Sequence, residues 1–254
     1  MEWGKAKGVS KAPKAGKVRY AKLDALGRTR TARATITYKM VAKAAERGRL
    51  DIPYSLKPSG WGHNALVSFV FADGSTGTRY FWNRSHLIAD SLGGAVKRRN
   101  LICGTRMQNV GAYDDTGGMA FCECLARTWL YRNHTGSVYY SARPVYKGNE
   151  LVPRSVVVNM KSSDGTLNRR FVVYNAARGY RIDYADGSFS AKAKTPGKLV
   201  WPAPSAKTKV FLAPNGTKYH RTKLCEGLAY AASVNKTTCA AAKADGKDAC
   251  SLCW

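Results

Sequence analysis

Alternating apolar and polar positions predict most of the regular structure along this chain. Runs of β-branched and aromatic residues predict strands at 33–40, 65–71, 78–83, 138–146, 152–160 and 170–174. Asp-Gly pairs at 73–74 and 164–165 supply the turn chemistry of two hairpins. Apolar residues recur at helical spacing over 116–133, with Gly136 just beyond, which predicts a helix there. The segment 100–111 mixes polar and apolar residues without a clear period.

Composition divides the chain into four segments. The first 17 residues are rich in Lys, Gly and Ala without apolar periodicity, so 1–17 is predicted to be a flexible basic arm. The strands and the helix then define a main domain over 18–195, followed by a Pro- and Lys-rich linker over 196–208. The last segment, 209–254, holds four of the seven cysteines and is too small to fold without disulfides or a bound metal ion.

The charge balance narrows the class of partner. The chain has 42 Lys and Arg against 16 Asp and Glu, a formal net charge of +26. Residues 21–204 alone hold 28 basic and 12 acidic groups, so the excess is not confined to a tail. Such a field suits nucleic acid, an anionic membrane surface or an acidic glycan, although a solubility adaptation would give the same composition.

Targeting signals are not evident in the sequence. No apolar run approaches the roughly 18 residues that a membrane span needs. Glu2 and Lys5 precede any apolar segment, so the start of the chain does not resemble a signal peptide. The protein therefore either stays inside the cell or is represented here in its mature form.

The segment 80–94 carries the most informative chemistry. It ends an aromatic strand and brings Arg84 and His86, two residues apart, to the same face. A guanidinium beside an imidazole suits a phosphate lying between them, with the arginine neutralising charge and a neutral histidine accepting a proton. The alternative is a histidine that only makes a structural hydrogen bond at the end of a strand.

Amide and cationic side chains crowd 97–111, and one carboxylate follows on the predicted helix. Amide oxygens suit a hard ion such as Mg²⁺, which keeps most of its water. Glu123 lies in an otherwise apolar stretch and Arg127 follows one turn later. The carboxylate is therefore either a functional group or one half of an exposed i,i+4 ion pair.

The run Asn83-Arg84-Ser85-His86-Leu87 resembles the Asp-Arg-Gly-His-Leu signature of the DNA/RNA non-specific endonucleases. Further strings are similar to streptococcal secreted DNases and related bacterial nucleases, in the same order, at 23–28, 58–64, 88–94, 104–111 and 117–119. The resemblance thus spans about 20–190. It implies an α+β fold with a ββα-metal nuclease core, which has a central antiparallel sheet and an active-site helix, plus a small Cys-rich module at the C-terminal end.

The resemblance also implies roles for individual residues. His86 would be the general base that activates water, Arg84 would lie beside the scissile phosphate, and Glu123 would bind the metal or orient its waters. Asn109 would be the direct ligand of Mg²⁺, or of Mn²⁺, and Asn100 would support it from the start of the metal-bearing helix. The arginines expected to bind nucleic acid are Arg98, Arg99, Arg106 and Arg127.

Two positions depart from the signature, since Asn83 replaces Asp and Ser85 replaces Gly. The lost carboxylate leaves Asn83 outside the predicted catalytic set. The implied function is Mg²⁺-dependent hydrolysis of DNA, with RNA as the alternative substrate, to products with 5′-phosphates. The resemblance implies secretion, and no obligate protein partner is evident. The competing hypothesis is a non-catalytic polyanion-binding protein on the same fold.

The last segment contains a second candidate site, formed by His220, Cys225, Cys250 and Cys253. The Cys-x-x-Cys spacing of its final pair suits a chelating knuckle, and the other two residues would complete a tetrahedral Zn²⁺ site. In an oxidising compartment the alternative is disulfides among Cys225, Cys239, Cys250 and Cys253. A zinc ion or disulfides would each stabilise a fragment of this size, and the sequence leaves the choice between them open.

Overall fold

The structure, a computed structural model, describes residues 4–112, 117–197, 203–223, 225–228, 231, 233–251 and 253. The chain divides into two compact units, Met1–Gly197 and Lys198–Trp254, which are described separately below. Residues 198–202, within the predicted linker, lie outside the described residues. The predicted domain bounds therefore stay predictions.

A five-stranded antiparallel sheet supports the first unit. Its strands lie in the order Val18–Tyr20, Ala32–Thr37, Ser137–Val145, Ser155–Ser162 and Asn168–Tyr174. In chain order this unit contains β1 (Val18–Tyr20), β2 (Ala32–Thr37), α1 (Tyr38–Arg47), β3 (Leu66–Val70), β4 (Thr76–Tyr80), β5 (Trp82–His86), β6 (Leu101–Thr105), α2 (Arg106–Val110), α3 (Gly118–Arg132), β7 (Ser137–Val145), β8 (Ser155–Ser162), β9 (Asn168–Tyr174), β10 (Tyr180–Ile182) and β11 (Phe189–Ala191). Helix α3 packs on β7 and β9 and buries Met119 and Leu130. Separate helices on an antiparallel sheet confirm the predicted α+β class.

Strands β5 and β6 form a separate antiparallel pair that leads directly into α2. His86 lies opposite Leu101 in this pair, and Thr105 at its end caps the helix by accepting a hydrogen bond from the Gln108 backbone amide at 2.9 Å. Helices α2 and α3 approach closely at their glycines. A Cβ on Gly111, whose φ is +87°, would lie 2.4 Å from the Cα of Gly117. These contacts fix the ββα core that the resemblance implies.

The first predicted strand, 33–40, is wrong at its C-terminal end. The β-branched run ends at Thr37, and the residues that follow form α1. Met and several alanines favour a helix over 38–47, and the helix buries Val41 and Ala44 against the core. The predicted strand 78–83 is likewise divided, because Phe81 separates β4 from β5.

The predicted flexible arm is also different in the structure, which holds residues 4–17 against the sheet. The backbone amide of Ala6 donates to Asn168 Oδ1 at 2.8 Å, and that of Lys7 donates to Asn159 Oδ1 at 2.9 Å. Both asparagines belong to the last two strands of the five-stranded sheet. Their side chains satisfy backbone donors that a composition-based prediction leaves to water.

The second unit is small and is built around short strands. It contains β12 (Lys209–Leu212), β13 (Lys218–Tyr219), β14 (Asn235–Thr238), α4 (Cys239–Ala244) and β15 (Asp248–Ala249). β12 pairs antiparallel with β14, and β13 pairs parallel with β15. Its apolar core consists of Val210, Leu212, Tyr219, Cys239 and Ala242. Across the described residues of both units, no helix is long and apolar enough to cross a membrane.

Candidate active site and metal cluster

Strand β5 and helix α2 bring the predicted catalytic residues together. Asn83, Ser85 and His86 lie on β5, and Asn109 lies on α2, which packs against that strand. The Ser85 hydroxyl donates to Asn109 Oδ1 at 3.0 Å, while Asn109 Nδ2 donates to Asn83 Oδ1 at 3.3 Å. Both residues that depart from the family signature therefore hold the amide of Asn109. An amide oxygen has two lone pairs, so one is left for a cation.

His86 is half-buried, and its Nε2 atom finds no hydrogen-bond partner among the described residues. Burial lowers the pKa of His86 from 6.5 to about 4, opposed by the carboxylate of Asp90 and helped by the cation of Arg49. The imidazole is therefore neutral at physiological pH. A buried, unpartnered ring nitrogen in the neutral state is available to take a proton.

Glu123 faces the same cavity as His86 from helix α3. Burial raises the pKa of Glu123 from 4.5 to about 7, against the opposing field of Arg127. Ionising this carboxyl without a compensating cation is costly. Together with Asn109, Glu123 supplies a set of oxygen donors, which is the donor set that Mg²⁺ prefers.

Two cavities meet at His86 and Asn109. The first, of about 400 Å³, is lined by Glu123, Arg127 and Asp90. The second, of about 680 Å³, is lined by four arginines and by aromatic rings. Its arginines are Arg49, Arg79, Arg84 and Arg106. The reactive groups thus lie between a side that carries both carboxyl groups and arginines and a side that carries arginines without carboxyl groups.

The structure separates the predicted DNA-binding arginines into two groups. Arg106 and Arg127 each line one of the two cavities. Arg98 and Arg99 are exposed on a short 3₁₀ helix and line neither cavity, and the Arg98 guanidinium reaches Gly27 O at 3.5 Å. The spacing of cations along the chain did not distinguish these two groups.

Asn100 has a different position from the predicted one, because it precedes β6 and does not begin a helix. Its side chain is fully buried. Oδ1 accepts from Ile88 N, and Nδ2 donates to Ile88 O and Ala95 O, all at 2.9 Å. Asn100 therefore braces the segment that directly follows His86.

Sequence reasoning missed Arg49 and Asp90. Arg49 lines both cavities from the loop after α1, where nothing in the local pattern marks it. Asp90 accepts hydrogen bonds from Arg47 and from the Leu50 backbone amide, the latter at 2.9 Å. Asp90 thereby ties the C-terminal end of α1 to the segment that follows His86. Only the tertiary structure brings these residues to the site.

The second unit brings its predicted ligands into one cluster. The donor atoms of His220, Cys225, Cys250 and Cys253 all lie within 4.8 Å of one another, and all four residues are buried. The sulfurs of Cys225 and Cys250 are 3.8 Å apart. This separation matches the edge of about 3.8 Å in a tetrahedron whose centre lies about 2.3 Å from each sulfur.

Other contacts shape this cluster. The Cys225 thiol donates to Cys253 and holds the pKa of the Cys253 thiol below its usual range, with a further contribution from His220. The Arg221 backbone amide also donates to Cys253 Sγ at 3.3 Å. A Cβ on Gly227 would lie 2.8 Å from the His220 ring, so glycine permits the imidazole to approach. Thiolate character in a buried cluster suits a soft or borderline cation.

The ββα-metal class of nucleases is defined by two antiparallel strands that lead into a helix, with an imidazole on the strands next to an amide oxygen on the helix. Strands β5 and β6 and helix α2 have this arrangement, and the carboxyl group of Glu123 faces it from α3. The chain agrees with that class in sequence as well. Residues 9–164 match the profile of the DNA/RNA non-specific endonucleases, and because this is more than half of its length, the chain belongs to that family. The predicted family and fold class are confirmed.

Known relatives support the same assignment. A deoxyribonuclease from Streptococcus dysgalactiae subsp. equisimilis is 42% identical over 125 residues, which are 49% of this chain and 38% of the relative. This chain therefore spans little more than a third of that relative's length. The structure of Sda1 nuclease with a bound zinc ion has a TM-score of 0.71 at 32% identity, covering 76% of this chain and 96% of the other. NucA from Streptococcus agalactiae with a magnesium ion bound shares the fold, with a TM-score of 0.60 at 22% identity and 74% and 85% coverage.

Proposed function

We propose that this protein is a Mg²⁺-dependent endonuclease that hydrolyses the phosphodiester bonds of DNA, or alternatively of RNA, with little sequence preference. The observation that carries the proposal is the neutral, unpartnered imidazole of His86 beside the oxygens of Asn109 and Glu123. Four arginines line the adjoining cavity and suit a substrate with a charged backbone. Products with 5′-phosphates and the use of Mn²⁺ in place of Mg²⁺ belong to the same proposal.

Each group of the site has a distinct task in this reaction. His86 takes a proton from the attacking water, for which its neutral state is required. Arg84 and Arg106 neutralise the phosphates near the reacting bond. Ser85 and Asn83 orient the Asn109 amide, and Glu123 adds a second oxygen donor. A divalent ion held by these oxygens would stabilise the charge that develops on the phosphate oxygens.

The decisive experiment is His86→Ala. Removing the general base is expected to lower the rate of plasmid cleavage in Mg²⁺ by about 10²- to 10⁴-fold. Binding of DNA in EDTA is expected to persist, because the arginines of the cavity are unchanged. His63→Ala is the matched control, since His63 is a half-exposed histidine that lines neither cavity. Wild-type cleavage by His86→Ala would contradict the proposed mechanism.

The same assay addresses the competing hypothesis of a non-catalytic polyanion-binding protein. That protein would bind DNA but would not cleave it, whichever divalent ion is added and at whatever concentration. The intact set of His86, Asn109 and Glu123 favours catalysis, because none of the three is needed for binding a polyanion.

We further infer that the second unit holds a structural Zn²⁺ on His220, Cys225, Cys250 and Cys253. One imidazole nitrogen and three sulfurs within 4.8 Å of one another, with a separation of 3.8 Å between the sulfurs of Cys225 and Cys250, support a tetrahedral ion. The fourth cysteine of this unit, Cys239, lies in the apolar core beside Tyr219. Disulfides among the three clustered thiols would leave one thiol and His220 without a partner, whereas a metal ion uses all four donors.

Zinc analysis of the purified full chain tests this site. One zinc per chain is expected, with loss of zinc and of thermal stability in Cys250→Ser. Asn109→Ala is expected to retain the zinc, which separates this site from the proposed nuclease site. Cys239→Ala is the matched control, because it removes a buried cysteine outside the cluster. Zinc-free protein in which only one of the three clustered thiols can be titrated would instead establish a disulfide. Secretion, which the resemblance implies, belongs to the proposed function and is tested by the reading frame upstream of Met1.

A further inference from the structure

The second cavity combines positive charge with aromatic surface. Besides its four arginines it is lined by Tyr54, Trp61 and Tyr80, and no carboxylate occurs among the described residues that line it. Its volume of about 680 Å³ lies within the range of pockets that enclose small organic ligands. In the first cavity, in contrast, the two arginines Arg49 and Arg127 are offset by the carboxyl groups of Asp90 and Glu123. A polyanion is therefore expected to approach His86 through the second cavity.

The aromatic rings are more exposed than packing requires. Tyr54 is 82% exposed and Tyr80 is 58% exposed, although each contributes to the same cavity. Lys57 lies 4.7 Å from the centre of the Tyr54 ring, so a cation accompanies the most exposed of them. On the wall of the cavity the Arg84 guanidinium lies 5.8 Å from the centre of the Trp61 ring. Aromatic faces open to solvent between cations are typical of surfaces that bind single-stranded nucleic acid.

Pairing and stacking hide the faces of bases inside a duplex. Arginines alone would suffice for a duplex, because its backbone presents only phosphates and sugars. Exposed aromatic rings next to the reactive groups gain a partner only when bases are unpaired and free to stack on them. The exposed ring faces of this cavity thus gain a stacking partner from a single strand and none from an intact double helix.

We propose that the second cavity is a binding site for unpaired nucleotides, whose bases stack on Tyr54 and Tyr80 while their phosphates lie along the arginines. The protein therefore acts preferentially on single-stranded or locally unpaired nucleic acid. This inference rests on the proposed nuclease function and specifies the substrate of the same site.

The test compares a single-stranded oligonucleotide with a hairpin duplex of the same length, each labelled with a fluorophore. Binding is measured by anisotropy in EDTA, and cleavage is measured separately in Mg²⁺. Tyr54→Ala and Tyr80→Ala are each expected to weaken single-strand binding about tenfold and to change duplex binding less than twofold. Tyr54→Phe and Tyr80→Phe keep the ring and are expected to bind as the wild type does.

Tyr174→Ala is the matched control. Tyr174 is 59% exposed, nearly the same as Tyr80, but it lies on β9 and lines neither cavity. This variant is expected to leave binding of both oligonucleotides unchanged.

Two outcomes would overturn the inference. Equal loss of duplex and single-strand binding in the alanine variants would show that the rings have no role specific to unpaired bases. Unchanged single-strand binding in both alanine variants would show that bases do not stack there. Failure of the nuclease function itself is distinguishable, because wild-type protein would then cleave neither oligonucleotide in Mg²⁺ whatever the anisotropy results.

Discussion

At the scale of single residues, burial moves the pKa values of His86 and Glu123 in opposite directions. The pKa of His86 falls to about 4 and the pKa of Glu123 rises to about 7, so burial favours the neutral form of each side chain. Between pH 4.5 and 6.5 the unfolded chain protonates His86 while the folded chain does not, so stability rises with pH. In the same window the folded chain keeps a proton on Glu123 that the unfolded chain loses, so stability falls with pH. The two contributions oppose each other in the wild type.

Single substitutions separate these contributions in protein kept free of metal with EDTA. When the pH is raised from 4.5 to 6.5, the free energy of unfolding of Glu123→Gln is expected to increase, because only the His86 contribution remains. That of His86→Ala is expected to decrease, because only the Glu123 contribution remains. Each change is at most about 3 kcal/mol, since one pKa unit corresponds to about 1.4 kcal/mol. The free energy of unfolding in urea at the two pH values measures this, with Glu46→Gln, an exposed carboxyl on α1, as control. Parallel pH profiles for wild type and Glu123→Gln would show that Glu123 titrates normally.

At the scale of elements, the sequence pattern predicts the helix that carries Glu123 but not the strand and short helix that place Asn109. The predicted helix over 116–133 agrees with α3, because apolar residues that recur at helical spacing over a long segment are a strong signal. The segment 100–111 gave no periodic signal, since β6 is buried along its whole length and α2 has only five residues. The placement of Asn109 beside His86 therefore came from resemblance rather than from periodicity.

The replaced positions of the family signature illustrate what local pattern does not contain. Asn83 lies outside the predicted catalytic set because it lacks the carboxylate of the signature Asp, yet its side chain accepts a hydrogen bond from Asn109. Ser85 adds a hydroxyl that a glycine lacks, and this hydroxyl also holds Asn109. These contacts join residues 24 and 26 positions apart, and pairing of β5 with β6 brings them together before α2 begins. Sequence spacing alone does not reveal them.

At the scale of the whole molecule, the charge of +26 and the arginines of the second cavity contribute differently to binding. The overall charge attracts any polyanion and speeds its approach. Local contacts release counterions from the bound strand, so they determine how steeply affinity depends on salt. We expect the exposed Arg98 and Arg99 to contribute only to the overall attraction, and Arg106, which lines the second cavity, to contribute to the local contacts.

The salt dependence of single-strand binding distinguishes the two contributions. Four cavity arginines predict a slope of about −3 in a plot of log affinity against log salt concentration, at about 0.7 for each phosphate contact. Arg106→Ala is expected to reduce the magnitude of the slope by about 0.7. Arg99→Ala removes the same charge outside both cavities and is expected to leave the slope unchanged. Measuring both variants by anisotropy in EDTA prevents cleavage from altering the result. Equal effects of the two substitutions would mean that net charge, and not the cavity, holds the strand.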